Sequence, residues 1–315
     1  MSVHRQDRFI PHININTKWK QDGITIAGGK TQGNQINQLS YPHGIYVDDD
    51  DGQCIYIADC GNDRIVEWKY NAKIGQVVAG GNERGNRMDQ LNHPTNVIVD
   101  KTNDSLIICD SGNRRVVQWS RRNGKSGQTI ISDIDSRGLT TDSNGDLYVS
   151  DYKRHEVRRW KIGETNGTIV AGGNGEGNRL NQLYSPIDLF VDQDYSVYVS
   201  DNENHRVMKW TKGTKEGIIV AGGQGQGNSL TQLSYPYGVI VDHLHHVYVA
   251  DMDNHRIMRW SKGSKEGQII VGGNGEGEQP NQFKYPFGLS FDRENNLYVV
   301  DERNNRIQKF EIDLN

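Results

Sequence analysis

The sequence predicts an all-β chain: a six-bladed β-propeller of four-stranded antiparallel blades, with the ring closed by an N-terminal strand that completes the last blade. Three observations predict it. An Asp that ends a short apolar run recurs at 59, 110, 151, 201, 251 and 301, at intervals of 51, 41, 50, 50 and 50 residues. An aromatic residue stands nine positions after each one: Trp68, Trp119, Trp160, Trp210, Trp260 and Phe310. Between these marks lie runs of strand-forming residues bounded by Gly, Asn, Asp and Pro, with no helical periodicity. A fixed period of this length marks a solenoid, a propeller or an array.

The elements of one repeat follow in chain order. Pro186 opens an apolar run that ends at Asp192, and a turn leads to Val197-Tyr-Val-Ser and Asp201. A second turn leads to Arg206-Val-Met-Lys-Trp210, and a polar loop leads to Gly217-Ile-Ile-Val-Ala-Gly222. Short β-branched and aromatic runs bounded by turn residues are strands. Four such strands per repeat, set around a ring, make a propeller blade. The first three strands of each blade fall near 44–68, 96–119, 138–160, 188–210, 238–260 and 288–310. Fourth strands fall at 75–80, 127–131, 167–172, 217–222 and 267–272. The last set has none after it, and a spare one stands at Gly23-Ile-Thr-Ile-Ala-Gly28. Pairing the two closes the ring and removes free sheet edges. Residues 1–21 are then an N-terminal tail, and 22–315 a single domain.

Composition bounds the partners. The net charge of −4 gives no global attraction to nucleic acid or to an anionic membrane. The first residues hold no apolar core of a signal peptide. No stretch approaches the roughly 20 apolar residues of a membrane helix. A cytoplasmic protein without membrane contact is expected. Cys54, Cys60 and Cys109 are odd in number and read as free thiols in a reducing compartment.

Residues present in every repeat are expected to build the repeat. Each strand-ending Asp can accept backbone N–H bonds at its tight turn. His155, His205 and His255 occupy that same turn, but successive blades spread them around the ring, too far apart for zinc ligation. The Trp series packs between blades. Gly-rich loops at 27–39, 79–91, 171–183, 221–233 and 271–283 superficially match a dinucleotide fingerprint, but no helix follows them. Their Gly residues permit positive φ. Asp48 to Asp51 lack the alternating ligand spacing of a calcium loop and are expected on an exposed turn. No cofactor and no metal are expected.

Departures from the repeat are the candidate functional residues. The dipeptides that open the first strands differ from blade to blade and should converge on the rim of the axial channel. They supply His43, Asn96, Arg137, Asp188, Tyr237 and Phe287, a few polar groups on an apolar lining. The 41-residue interval lacks the Gly-rich loop, so a notch should lie beside Arg137. Residues 101–163 hold twelve Lys and Arg against eight Asp and Glu, with a basic patch expected at Arg114, Arg115, Arg121, Arg122, Arg154 and Arg158. Such a patch would suit an acidic partner or an RNA backbone.

Asp201-Asn-Glu-Asn-His-Arg-Val, Asp251-Met-Asp-Asn-His-Arg-Ile and the opening Tyr235-Pro-Tyr-Gly-Val-Ile-Val-Asp resemble the NHL repeat, and the likeness runs over residues 22–310. The resemblance implies a six-bladed propeller that serves as a binding scaffold for a protein, peptide or small ligand. Related propellers often follow a zinc-binding RING-type module of ubiquitin ligases. This chain has no Cys-x-x-Cys, so it could supply only substrate recognition. The resemblance also implies RNA binding as an alternative, separable by salt dependence. A third alternative is a metal-dependent enzyme, since amidating lyases and lactonase-like proteins resemble six-bladed propellers with a metal in the channel. His43 could stand as one ligand, but the matching positions carry Thr95, Ile187, Tyr237 and Phe287. Asn96 and Asp188 fall short of the roughly six to eight oxygens of a calcium site.

Overall fold

A computed structural model describes residues 11–29, 31–49, 54–122, 124–161 and 163–314. It contains six four-stranded antiparallel sheets. Blade one is Pro42–Asp48, Cys54–Asp59, Arg64–Lys69 and Gln76–Gly80, and blade two is Pro94–Asp100, Ser105–Asp110, Arg115–Ser120 and Gly127–Ser132. Blade three is Ser136–Thr141, Leu147–Asp151, Glu156–Trp160 and Thr168–Gly172. Blade four is Pro186–Val191, Val197–Asp201, Arg206–Trp210 and Ile218–Gly222, and blade five is Pro236–Val241, Val247–Asp251, Arg256–Trp260 and Gln268–Gly272. Blade six is Pro286–Phe291, Leu297–Asp301 and Arg306–Phe310, with Ile24–Gly28 as its outer strand. Ile24 lies opposite Lys309 and Gly28 opposite Arg306, so the N-terminal strand closes the ring as the sequence implied.

First strands of neighbouring blades touch all the way round the axis, blade six against blade one included. Gly makes this approach possible at four places. A Cβ on Gly138 would stand 2.6 Å from the Ile187 carbonyl oxygen, and one on Gly288 2.6 Å from that of His43. The aromatic series, Trp68 to Phe310, is buried among the apolar residues of the blades.

One clamp explains the repeated Asp, Asn and Arg. In blade four, Asp201 accepts the Tyr184 N–H at 2.7 Å, and Arg206 Nε at 2.6 Å. The same guanidinium donates to the Asn178, Arg179 and Gln182 carbonyls of the preceding Gly-rich loop, and Asn204 donates to the Gly177 carbonyl. The arrangement recurs at Asp59–Asn62–Arg64, Asp110–Asn113–Arg115, Asp251–Asn254–Arg256 and Asp301–Asn304–Arg306. The Asp is structural, as expected, but its reach extends beyond its own turn to the loop. Blade three departs: Arg154 and Glu156 stand where the others carry Asn and Arg, and no Gly-rich loop precedes them.

The turn His is a latch to the next blade. His205 Nδ1 accepts the Tyr235 N–H at 3.2 Å, and His155 and His255 accept from Ser185 and Tyr285. Asp63 and Asn305 do the same for His93 and Tyr41. Every recipient has positive φ, from 46° at Tyr41 to 57° at Tyr285, and all but one of the residue types resist that conformation. Each also precedes a Pro, so the accepted hydrogen bond holds a costly backbone in place.

Two findings were not legible in the repeat. Residues 11–21 are packed: Ile13 and Trp19 are buried, and Lys18–Trp19 pairs with Ile312–Asp313. Trp19 Nε1 donates to the Asn295 carbonyl, and the His243 N–H donates to the Pro11 carbonyl. The acidic run is only partly what it seemed. Asp48 is 1 % exposed and pairs with Arg121 at 2.8 Å, which corrects the expected exposed turn at its first residue. Asp49 accepts the Arg293 N–H, while Asp50 and Asp51 lie outside the described residues. All three cysteines are free and buried. No helix among the described residues is long and apolar enough to cross a membrane.

Candidate functional site: the channel mouth

In all six blades the ladder between the first two strands slips just where the opening dipeptide lies, as between Pro42 and Ile45 or Pro236 and Val239. A bulge re-aims side chains, and contacts among the dipeptide residues cross the axis. Tyr237 stacks on Phe287, ring centroids 3.9 Å apart, and Phe287 meets the His43 ring at 4.8 Å. Tyr237 Oη lies 3.2 Å from His43 Nδ1. On the other side Asn96 Nδ2 donates to Asp188 Oδ1 at 3.3 Å, and Asp188 Oδ2 accepts the Val239 N–H. These five side chains plug the channel. Below the plug is a cavity of about 150 Å³ that includes Asn96 and Asp188 in its wall.

Above the plug lies a mouth of about 440 Å³, walled by Tyr41, His43, His93, Arg137, Tyr152 and Arg303 among others. Arg137 is the sixth expected rim residue. Its guanidinium covers the Tyr152 ring at 4.9 Å, and its buried Nε has no acceptor. Its carbonyl accepts the Thr95 hydroxyl. Arg303 covers Tyr41 at 5.0 Å. Burial, then electrostatic repulsion from Arg137, His93 and Arg303, push the His43 imidazole down to about 3. Burial also raises the Glu302 carboxyl to about 7. The mouth therefore presents two stacked guanidiniums around a neutral imidazole, with Arg303 Nε 2.9 Å from Glu302 Oε2. Tyr41, Tyr152 and Arg303 were missed at the sequence level. Tyr41 and Arg303 belong to turn positions common to the blades, and only ring geometry brings them to the axis.

The expected basic patch resolves into ion pairs. Arg114 and Arg154 both hold Asp133 at 2.7 Å, and Arg115 holds Asp110 at 2.6 Å. Arg121 holds Asp48, Arg122 holds Asp104 at 3.0 Å, and Arg158 holds Glu156 at 2.5 Å. Arg115 and Arg121 stand at opposite ends of the strand Arg115–Ser120, so the six do not share one face. The sequence spacing counted charges without their partners, and the expectation of a single exposed basic surface is corrected accordingly. Among the described residues, no three His, Cys, Asp or Glu side chains cluster as metal ligands would.

The family profile of the NHL repeat matches residues 283–310, which span the first three strands of blade six. No curated protein matches the chain in sequence. Among solved structures, an auxiliary nutrient binding protein from Bacteroides thetaiotaomicron superposes with a TM-score of 0.71 at 16 % identity, covering 94 % of this chain and 77 % of that one. A virginiamycin B lyase from Staphylococcus aureus gives 0.53 at 13 % identity, covering 89 % and 98 %. A nidogen/laminin complex gives 0.60 at 16 % identity, covering 88 % and 87 %. At such identities the likeness is one of fold alone. The chain is a six-bladed β-propeller whose blade six matches the NHL-repeat profile, and the same Asp–Asn–Arg clamp recurs in four other blades.

Proposed function

We propose that this propeller is a non-catalytic binding scaffold that receives a protein segment, a peptide or a small ligand at its channel mouth, and that the group it grips is acidic. The observation that carries this reading is Arg137, stacked on Tyr152 with a buried Nε that no residue satisfies. A buried donor without an acceptor is costly, and a carboxylate supplies the acceptor in a charge-assisted pair. Arg303 on Tyr41 faces the same space. The plug of His43, Tyr237, Phe287, Asn96 and Asp188 stops a ligand at the mouth. Substrate recognition within a ubiquitin-ligase-type protein would use this same surface. The RNA alternative would use the six patch arginines, each of which holds a carboxylate, and the lyase alternative would use the channel around His43.

A fluorescent Glu-rich peptide, a Lys-rich peptide and a random single-stranded RNA pool should be titrated at low and physiological salt. The expected result is binding of the Glu-rich peptide alone, weakened ~10-fold or more in Arg137→Ala, which is about 1.4 kcal/mol, with thermal stability unchanged. Equal binding of both peptides would overturn the acidic reading. Tight, salt-sensitive RNA binding lost in Arg137→Glu would put RNA recognition in its place.

A further inference from the structure

We propose that the notch between blades two and three is a docking groove for a short loop of a partner protein, one that presents an aliphatic side chain and a backbone carbonyl where the other blades lay their own Gly-rich loop. The groove has a volume of about 550 Å³ and lies between the end of Gly127–Ser132 and the blade-three residues Arg154, Arg158, Trp160 and Gly167. It is distinct from the channel mouth.

The occupant is inferred from the five places where the chain fills the equivalent space itself. There the Gly at the start of the fourth strand, or just before it, donates its N–H to a carbonyl of the preceding loop. The pairs are Gly75 to Ile36, Gly127 to Met88, Gly217 to Leu180, Gly267 to Leu230 and Gly23 to Pro280, at 2.7 to 2.9 Å. Three of the five acceptors are Ile or Leu, and the others are Met88 and Pro280. Gly167 is the blade-three equivalent, and among the described residues nothing accepts its N–H. Two apolar groups are uncovered with it. Ile130 is 40 % exposed, whereas Ile26, Val78, Val170 and Val220 at the same register position are partly buried and Ile270 is buried. Trp160 is 9 % exposed, against 2 % for Trp210 and 1 % for Trp260. Donors remain on the groove wall even though the clamp is altered. Arg158 faces Val149 in the register where Met208 faces Val199, so a guanidinium replaces an apolar side chain. A loop-like segment therefore finds an apolar floor, a free peptide N–H and a nearby guanidinium. Those are complements of an aliphatic side chain and backbone carbonyls. Loop capture of this kind uses backbone hydrogen bonds for affinity and a side-chain pocket for specificity.

The probe is a peptide with the sequence of residues 223–233, Gly-Gln-Gly-Gln-Gly-Asn-Ser-Leu-Thr-Gln-Leu, titrated into the full chain while the Gly167 amide and Trp160 indole resonances are followed. Saturable shifts at both are expected, lost when the Leu corresponding to Leu230 is replaced by Asp in the peptide and lost in Ile130→Asp. A second variant carries the same eleven residues grafted between Ser132 and Asp133 with Arg154→Asn and Glu156→Arg. It should show the Gly167 shift without peptide and bind none. Resonances unmoved at millimolar peptide would overturn the proposal, as would shifts that persist equally with the Asp peptide or in Ile130→Asp.

Discussion

At the residue scale, His43 shows how the ring sets chemistry. Its imidazole is wedged between Tyr237 and Phe287 and faces Arg137, His93 and Arg303. Burial is the larger cause of its lowered pKa and the surrounding charge the smaller. A His held neutral near 3, against an ordinary 6.5, contributes stability that is complete above pH 6.5. That stability is lost as pH falls from 6.5 toward 3, because the unfolded chain takes up the proton first. Glu302 acts in the opposite sense: its raised carboxyl, near 7, contributes stability below its ordinary 4.5 that is lost as pH rises through 7. The His43 contribution is isolated by comparing the wild-type chain with His43→Gln at each pH. The stability advantage of His43 should shrink by up to about 1.4 kcal/mol per pH unit below 6.5. A constant difference between the two proteins across that range would contradict the buried, neutral imidazole.

At the element scale, loop and clamp form one device. Arg256 spends its donors on Asp251 and on the carbonyls of Asn228, Ser229 and Gln232, all in the loop before blade five. Removing Arg256 while the loop remains leaves buried Asp251 without its ion pair. Arg256→Ala should cost about 3–5 kcal/mol. In a protein from which residues 224–232 have been deleted, the same substitution should cost much less, because its loop partners are already gone. A urea-denaturation double-mutant cycle measures the coupling, and additive effects would contradict the clamp. Blade three already shows the natural form of this double change: loop absent, Arg replaced by Glu156. Strands, blade number and ring closure were legible because the Asp and the aromatic residue repeat at a fixed offset. The missing loop was legible from the short interval. The replacement of Asn and Arg by Arg154 and Glu156 was not legible with it, because the loop contacts of the Arg span roughly 24 to 30 residues of chain. The buried state of Asp48 was hidden in a run of acids, and the packing of Ile13 and Trp19 by their place outside the repeat. The rim residues were legible as a set. Their division into a plug and an open Arg137 depends on distances across the axis that no spacing in the chain expresses.

At the scale of the whole molecule, the ring is a set of blades that each bury one face against the next, and a blade with an incomplete sheet would leave an edge open. Closure rests on Ile24–Gly28 against Arg306–Phe310, reinforced by Lys18–Trp19 against Ile312–Asp313. Leu39 and Phe283, both fully buried, then seat the loops on either side of blade six. The channel mouth depends on the same closure, because Arg303 and Tyr41 belong to blade six and to the chain leading into blade one, while Arg137 belongs to blade three. The most direct test of this account is to delete residues 1–29 and follow both thermal unfolding and amide exchange in Arg306–Phe310. A large drop in melting temperature and loss of protection in that strand are expected, because it loses its outer neighbour. An unchanged melting temperature with full protection there would show that the ring does not depend on its N-terminal strand, and would contradict the closure on which the mouth is built.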